Sequence, residues 1–428
     1  MTSRSVDRAR RRLLQSSAAV GASLATACAP VARRTPAARV VVVGGGYGGA
    51  TAAKYLKHWG GDAVDVTLVE ANDAFVSCPL SNLVVGGSRA IADVTMTYDA
   101  LARRGVRVVH DRAVAVDADR RHVRLSRGDA LRYERLVVSP GIDFFFDRIE
   151  GLESAQARSR FLHAWKAGPQ TVALRRQLEA MRDGGVFAIS IPRAPFRCPP
   201  APYERACQVA WYFRRAKPRS KVLILDGNED VQSKKALFMR AWAEEYRGIV
   251  EYRPDYVLVR VGADGTAHFE VAEDERPDVL NVIPPQGAGA IARAAGAITA
   301  NDQWCEVDFR TFESIKVANV HVLGDSIQIA PAMPKSGHMA NQHGKLCAAA
   351  VLALLAGQPP DPVTINNVCY TFLTDREAVH IASVHRYDAD QKTYVTVAGA
   401  GGLSSAMSVA EGEDAFAWAR GIWHDMLG

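Results

Sequence analysis

The sequence predicts an α/β fold built around two dinucleotide-binding, Rossmann-like units. Three observations predict it. An apolar strand runs straight into a Gly-x-Gly-x-x-Gly turn and a helix over residues 40–56. Two later strands end in Ser139-Pro140-Gly141 and Gly324-Asp325, turns of the kind that complete such a unit. A further pair of buried-type strands, 186–191 and 221–226, falls between them and restarts the pattern.

The chain has 428 residues, too many for one ordinary core, so two or three domains are expected. Its first segment stands apart. "RARRRLLQSSAAVGASLATACAP" has a basic start, a weakly apolar run and small residues at Ala25 and Ala27, which reads as an export leader and not as a membrane span. Arg10-Arg11-Arg12-Leu13-Leu14 fits the twin-arginine pattern, which serves proteins exported already folded, so a periplasmic location is expected. Cys28 as a lipidated residue is a minor reading, because Ala25 stands where such sites usually carry Leu or Val. Residues 1–36 hold seven arginines and one acid, Asp7, giving +6. The whole chain is also +6, so the part from Ala37 onward is formally neutral and carries no basic stripe for nucleic acid. In an oxidising compartment a disulfide can persist.

The first unit is legible step by step. Residues 40–43 are a continuous valine run, the mark of a strand buried on both faces of a parallel sheet. Gly44, Gly46 and Gly49 allow the tight turn and the approach of a pyrophosphate to the following helix N-terminus. "VDVTLVE" is the second strand and ends in Glu70, placed to accept ribose hydroxyls. "YERLVVSPGIDF" and "VANVHVLGDSIQ" add two more strands, with Gly141 and then Gly324-Asp325 at their ends. A helix beginning near Ser336 aims its positive end the same way. Together these segments resemble the flavoprotein disulfide reductases, which implies FAD, with Asp325 on its ribitol.

In that architecture a second unit, for NAD(P), sits in the middle. Here the loop after its first strand reads "IPRAPFRCPPAPYERACQ", with prolines at 192, 195, 199, 200 and 202 and no glycine. Proline offers no N–H and cannot make the required turn, so a phosphate cradle is not expected. Asp226 is then a relic or a plain strand-end acid, and NAD(P)H is not the expected reductant.

"CPLSN", "FRCPPAPYERA", "MPKSGHMANQHGK" and "NNVCYTFL", in this order, resemble the flavin subunit of flavocytochrome c sulfide dehydrogenase over essentially the whole chain after the leader. The resemblance implies a leader and linker at 1–36, an FAD-binding domain in two parts at 37–150 and 275–350, a degenerate NAD-like domain at 151–274, and a C-terminal α+β interface domain at 351–428. It implies that Cys78 is bonded through sulfur to the 8α-methyl of FAD, a plausible bond because a thiolate is a good nucleophile towards that group's electrophilic form. It makes Cys198 and Cys369 a redox-active pair, although their 171-residue separation alone does not show that they meet. Attack of HS⁻ on such a disulfide leaves a persulfide and a thiolate, from which electrons pass to the flavin. Cys369 is expected nearer the ring. Glu204 is the implied proton acceptor, and equally a commonplace acid in a helix first turn; Lys335 is placed near the pyrimidine side, or in solvent. His338 and His343 have no metal-ligand context, and no metal site is expected. Cys207, Cys305 and Cys347 read as core or surface residues.

Electrons then need an exit. The family implies a c-type cytochrome subunit, and the absence of Cys-x-x-Cys-His here assigns any haem to that partner. The rival is a sulfide:quinone oxidoreductase, for which the tail "AFAWARGIWHDMLG" would be an amphipathic anchor. A flavin-bearing binding subunit and a flavin oxidase are further alternatives.

Overall fold

The computed structural model describes residues 37–428; the expected leader, with its arginines and Cys28, lies outside the described residues. Five parallel strands form the first sheet, in the spatial order Val320–Val322, Arg135–Val138, Ala38–Val43, Val64–Glu70, Arg107–His110. The valine run is central in it, pairing Val40 with Val66 on one side and with Arg135 on the other. Val40, Val41 and Val42 are at most 2% exposed, as a strand covered on both faces requires.

Helix Tyr47–Gly60 leaves the glycine turn and crosses helix Gly337–Leu355 at close range. Glycines permit the crossing. A Cβ on Gly344 would lie 2.5 Å from the Gly48 carbonyl oxygen; Gly49 serves the turn instead, where a Cβ would lie 1.8 Å from the Gly44 carbonyl oxygen. Asn341 adds a buried hydrogen bond of 2.9 Å to Thr51 across the same crossing.

The second sheet is also parallel, in the order Val250–Arg253, Lys221–Asp226, Val186–Ile191, Val279–Val282. Its fourth strand corrects an expected boundary. Residues 279–282 pair with 187–190, so the second sheet extends past residue 274. The reason is topological: the strands Leu258–Val261 and Ala267–Phe269 form their own antiparallel ribbon before the chain returns to the sheet. The antiparallel pair Ile142–Phe144 and Gln286–Ala288 then links the two sheets. The 350/351 boundary also falls inside an element, because helix Gly337–Leu355 continues five residues beyond 350.

At the C-terminus, strands Ile365–Phe372, Ala378–Asp388 and Thr393–Leu403 make an antiparallel sheet backed by helix Val409–Leu427. That helix packs onto the body. Trp423 donates to the Tyr47 hydroxyl at 3.1 Å, and Asp425 accepts from Tyr55 at 2.6 Å and from Asn341 at 2.8 Å. Phe416 lies 4.9 Å from the Phe372 ring, and Ile422 is buried. The aromatic residues of the tail are thus engaged within the protein, which removes the apolar face an anchor would need. No helix among the described residues is long and apolar enough to cross a membrane.

Candidate active site

A cavity of about 840 Å³ opens at the carboxyl ends of the first sheet's strands. Val43, Glu70, Ser139 and Gly324, each at a strand end or in the turn after it, line it together with Gly44, Gly46 and Gly141. Gly44 has φ +98°, and a Cβ there would meet the Ser139 carbonyl oxygen at 2.3 Å, so only glycine fits. Glu70 is fixed by three donors: the amide of Gly45 at 2.7 Å, and the amide and side chain of Asn72 at 2.9 and 2.6 Å. Ser336, Gly337 and His338, at the N-terminus of the long helix, close another wall.

Two polar groups of this wall are unsatisfied among the described residues. Asp325 Oδ1 and the Trp165 indole N–H are buried and have no partner. Buried polar groups are paired in finished proteins, so each calls for a ligand atom. The glycine turn, the strand-end acid, the helix terminus and the orphaned Asp325 oxygen together fit a dinucleotide such as FAD, its pyrophosphate over Gly44 and Gly46 and its polyhydroxyl chain at Asp325.

Three segments far apart in sequence bring sulfur to the same cavity. Cys78 sits just before helix Ser81–Gly86, whose first residue ties back to the Cys78 carbonyl through both its amide and its hydroxyl, at 3.0 and 2.7 Å. The Cys78 sulfur accepts from the Ala167 amide at 3.5 Å and neighbours the Arg197 guanidinium. Cys198 occupies the proline loop in a left-handed conformation, φ +57°, held by its amide on the Lys335 carbonyl at 3.0 Å. A non-glycine residue in that region stores strain, which surrounding structure must impose. Cys369 comes from strand Ile365–Phe372. The Cys198 and Cys369 thiols neighbour and influence one another, and both are free thiols lining the cavity.

Glu204 stands in the first turn of helix Ala201–Ala216 and also lines the cavity. Its carboxylate accepts from Asn82 Nδ2 at 2.7 Å and from the Phe372 amide at 2.8 Å. Burial pushes its pKa up to about 7 despite these donors.

Comparison with known proteins matches this arrangement. The family model described as "Sulfide dehydrogenase [flavocytochrome c] flavoprotein chain, central" covers residues 171–284. "Flavocytochrome c sulphide dehydrogenase, flavin-binding" covers residues 360–427, and "Pyridine nucleotide-disulphide oxidoreductase" covers 38–171. The sulfide dehydrogenase [flavocytochrome c] flavoprotein chain of Chlorobaculum thiosulfatiphilum is 61% identical over 46 residues, 11% of this chain and 94% of that one. The chain belongs to the flavocytochrome c sulfide dehydrogenase flavoprotein family. FAD is therefore its cofactor.

More distant relatives are mitochondrial sulfide:quinone oxidoreductases, 25% identical both in Dictyostelium discoideum over 67% of this chain and in Mus musculus over 72% of it. The chain spans 65% of the first relative's length and 69% of the second's. The solved sulfide:quinone oxidoreductase of Aquifex aeolicus shares the fold, with a TM-score of 0.75 at 17% identity over 91% of this chain and 92% of that one. The NAD-dependent persulfide reductase of A. fulgidus shares it at a TM-score of 0.60, 16% identity, and 90% and 77% coverage.

Within this flavoprotein family member, the expected site residues divide clearly. Gly44, Gly46, Glu70, Cys78, Gly141, Cys198, Glu204, Gly324, Asp325 and Cys369 all line one cavity. Gly49 does not line it and instead lets the helix pack on the glycine turn. Lys335, expected near the flavin or in solvent, is 4% exposed; its ammonium donates to the carbonyls of Asp325 and Ile327 at 2.8 and 2.6 Å and lies 3.6 Å over the Trp304 ring. Lys335 thus shapes the turn that presents Asp325. His338 accepts the Val368 amide at 3.0 Å, and His343 is buried against Phe312. Among the described residues no cluster is suited to a metal ion.

In the central unit, Asp226 is fully engaged. It accepts from Tyr203 at 2.6 Å, from Tyr252 at 3.2 Å, and from the amide and side chain of Asn228 at 3.1 and 2.7 Å.

Sequence reasoning missed Arg197, Arg205 and Lys234. Arg205 is 2% exposed and joins four segments around Cys78, through Asn82 Oδ1 at 3.0 Å, Asn281 Oδ1 at 2.9 Å and the carbonyls of His163 and Ala164 at 2.8 and 2.6 Å. Arg197 adjoins Cys198 in the chain, which is the one signal that could have found it.

Proposed function

We propose that this flavoprotein oxidises sulfide at a Cys198–Cys369 disulfide and delivers the electrons to a c-type cytochrome subunit, as an exported periplasmic protein. The observation that carries the reading is the neighbouring thiol pair opening on the cavity that fits FAD. Exchange of HS⁻ with a disulfide needs an accessible sulfur, a good leaving thiolate and a place for the proton. Cys198 and Cys369 supply the first two. Glu204, ionising near neutrality at the same cavity, supplies the third, taking the proton of H₂S when it is carboxylate. FAD, when bound, accepts electron pairs and releases them singly, which suits a haem acceptor. The proline loop and the fully bonded Asp226 support a reading without NAD(P).

The test is anaerobic reduction by sulfide followed by a challenge with cytochrome c, decylubiquinone or oxygen. Fast reoxidation by cytochrome c alone is expected. Preference for decylubiquinone would move the protein to the quinone-reducing class, and preference for oxygen would make it an oxidase. The same reduction, run across pH, is expected to accelerate as pH rises through about 7, because Glu204 is a base only when ionised. Glu204→Gln is expected to flatten that limb, and an unchanged profile would take the role away from Glu204.

A further inference from the structure

Lys234 is an ammonium without an obvious reason to be buried. It precedes helix Lys235–Glu244 in a left-handed conformation, φ +55°, and is 5% exposed. Its Nζ lies 2.8 Å from the Cys369 carbonyl oxygen, 2.6 Å from Thr371 Oγ1 and 3.6 Å from Cys369 Sγ. These three acceptors match the three N–H bonds of an ammonium, so none is left for a carboxylate. A buried cation needs compensating negative charge; the Glu204 carboxylate is near enough to feel Lys234, and the sulfur is the hydrogen-bonded acceptor that can become an anion.

We propose that Lys234 is the positioning residue that makes Cys369 the thiolate of the pair, so that sulfide attacks Cys198 and Cys369 departs. This rests on the sulfide-oxidising reading above. Every neighbouring charge bears on it. The adjoining Cys198 thiol favours a Cys369 thiolate most, and Lys234 and the Thr371 hydroxyl add to it; burial and Glu204 oppose it. On the other sulfur, the neighbouring Cys369, burial and Glu204 oppose ionisation, and the Arg197 guanidinium that favours it is shared with Cys78 and Asp325. His338 faces the same strand but accepts the Val368 amide. The balance puts the negative charge on Cys369.

In exchange, the thiol with the lower pKa is the better leaving group. The HS⁻ lone pair forms a bond to Cys198 Sγ, the Cys198–Cys369 bond breaks, and its electron pair leaves on Cys369 Sγ beside the Lys234 ammonium. The products are a Cys198 persulfide and a Cys369 thiolate. A second HS⁻ then bonds to the outer sulfur of the persulfide and carries it off as HSS⁻, leaving Cys198 as a thiol. Remaking the disulfide from that thiol and the Cys369 thiolate releases one proton and two electrons, for which the bound flavin is the acceptor class.

The test uses the FAD-loaded protein with its pair reduced, labelled by iodoacetamide across pH and read by peptide mass spectrometry. It needs neither sulfide nor an electron acceptor, so it can succeed where the functional reading fails. In the unmutated protein Cys369 is expected to label before Cys198 at about pH 6, well below the ordinary thiol range. Lys234→Met is expected to slow Cys369 labelling at that pH by about tenfold or more, and Lys234→Arg to restore most of it, as one unit of pKa corresponds to tenfold in thiolate. An unchanged Cys369 profile in Lys234→Met overturns the assignment. Should Lys234→Met fail to fold, the labelling order in the unmutated protein decides, and Cys198 labelling first overturns it.

Discussion

Cys198→Ser and Cys369→Ser are each expected to slow reduction of the bound flavin by sulfide by roughly a thousandfold or more, since loss of one member of a unit removes the reaction path. HS⁻ is a nucleophile and needs an electrophilic sulfur; neither single thiol provides one, and only the bond between them does. The two residues reach each other from the proline loop and from the first strand of the C-terminal sheet. Serine keeps nearly the same volume, and at position 369 its hydroxyl still accepts from Lys234. Flavin content is therefore expected to stay at the unmutated level. Stopped-flow bleaching of the flavin under anaerobic sulfide is the measurement. A serine variant at either position that reduces within a few-fold of the unmutated rate would show that sulfide reaches the flavin without the pair.

Cys78→Ser is expected to convert a flavin that stays with the acid-denatured protein into one that is fully released. Cys78 lines the cavity, and its sulfur is oriented by the Ala167 amide, by the neighbouring Arg197 guanidinium and by the tie of Ser81 to its carbonyl. These contacts hold the sulfur at the cavity wall, where the tether implied by the family resemblance would form. The Arg205 clamp keeps that loop, through Asn82, against the segment carrying Trp165. Precipitation in acid and absorbance of the supernatant settle the matter. Flavin released from the unmutated protein would refute the tether.

The sequence carries local features of this site well and distant ones poorly. The valine strand, the glycine turn and Glu70 lie within 31 residues, and their spacing predicts a dinucleotide site. Asp325 was legible for the same reason, as a strand-end acid after glycine. The thiol pair became legible only through family resemblance, because no spacing rule joins residues 171 apart. Lys234 carried no signal: it reads as a solvated lysine until the fold brings it, across 135 residues, to Cys369. Lys335, expected near the flavin or in solvent, is tied down in a way its motif does not announce, its ammonium on two carbonyls and over the Trp304 ring. The 274/275 boundary failed because a parallel strand such as Val279–Val282 finds its neighbour only in space.

The central claim is that Cys198 and Cys369 interconvert between the thiol pair and a disulfide. Non-reducing peptide mapping of the air-oxidised, FAD-loaded protein, with remaining thiols blocked beforehand, tests it most directly. The expected result is one cross-linked species joining the peptides of Cys198 and Cys369, which disappears on reduction. Both thiols blocked as free groups, or either joined to another cysteine, would contradict it.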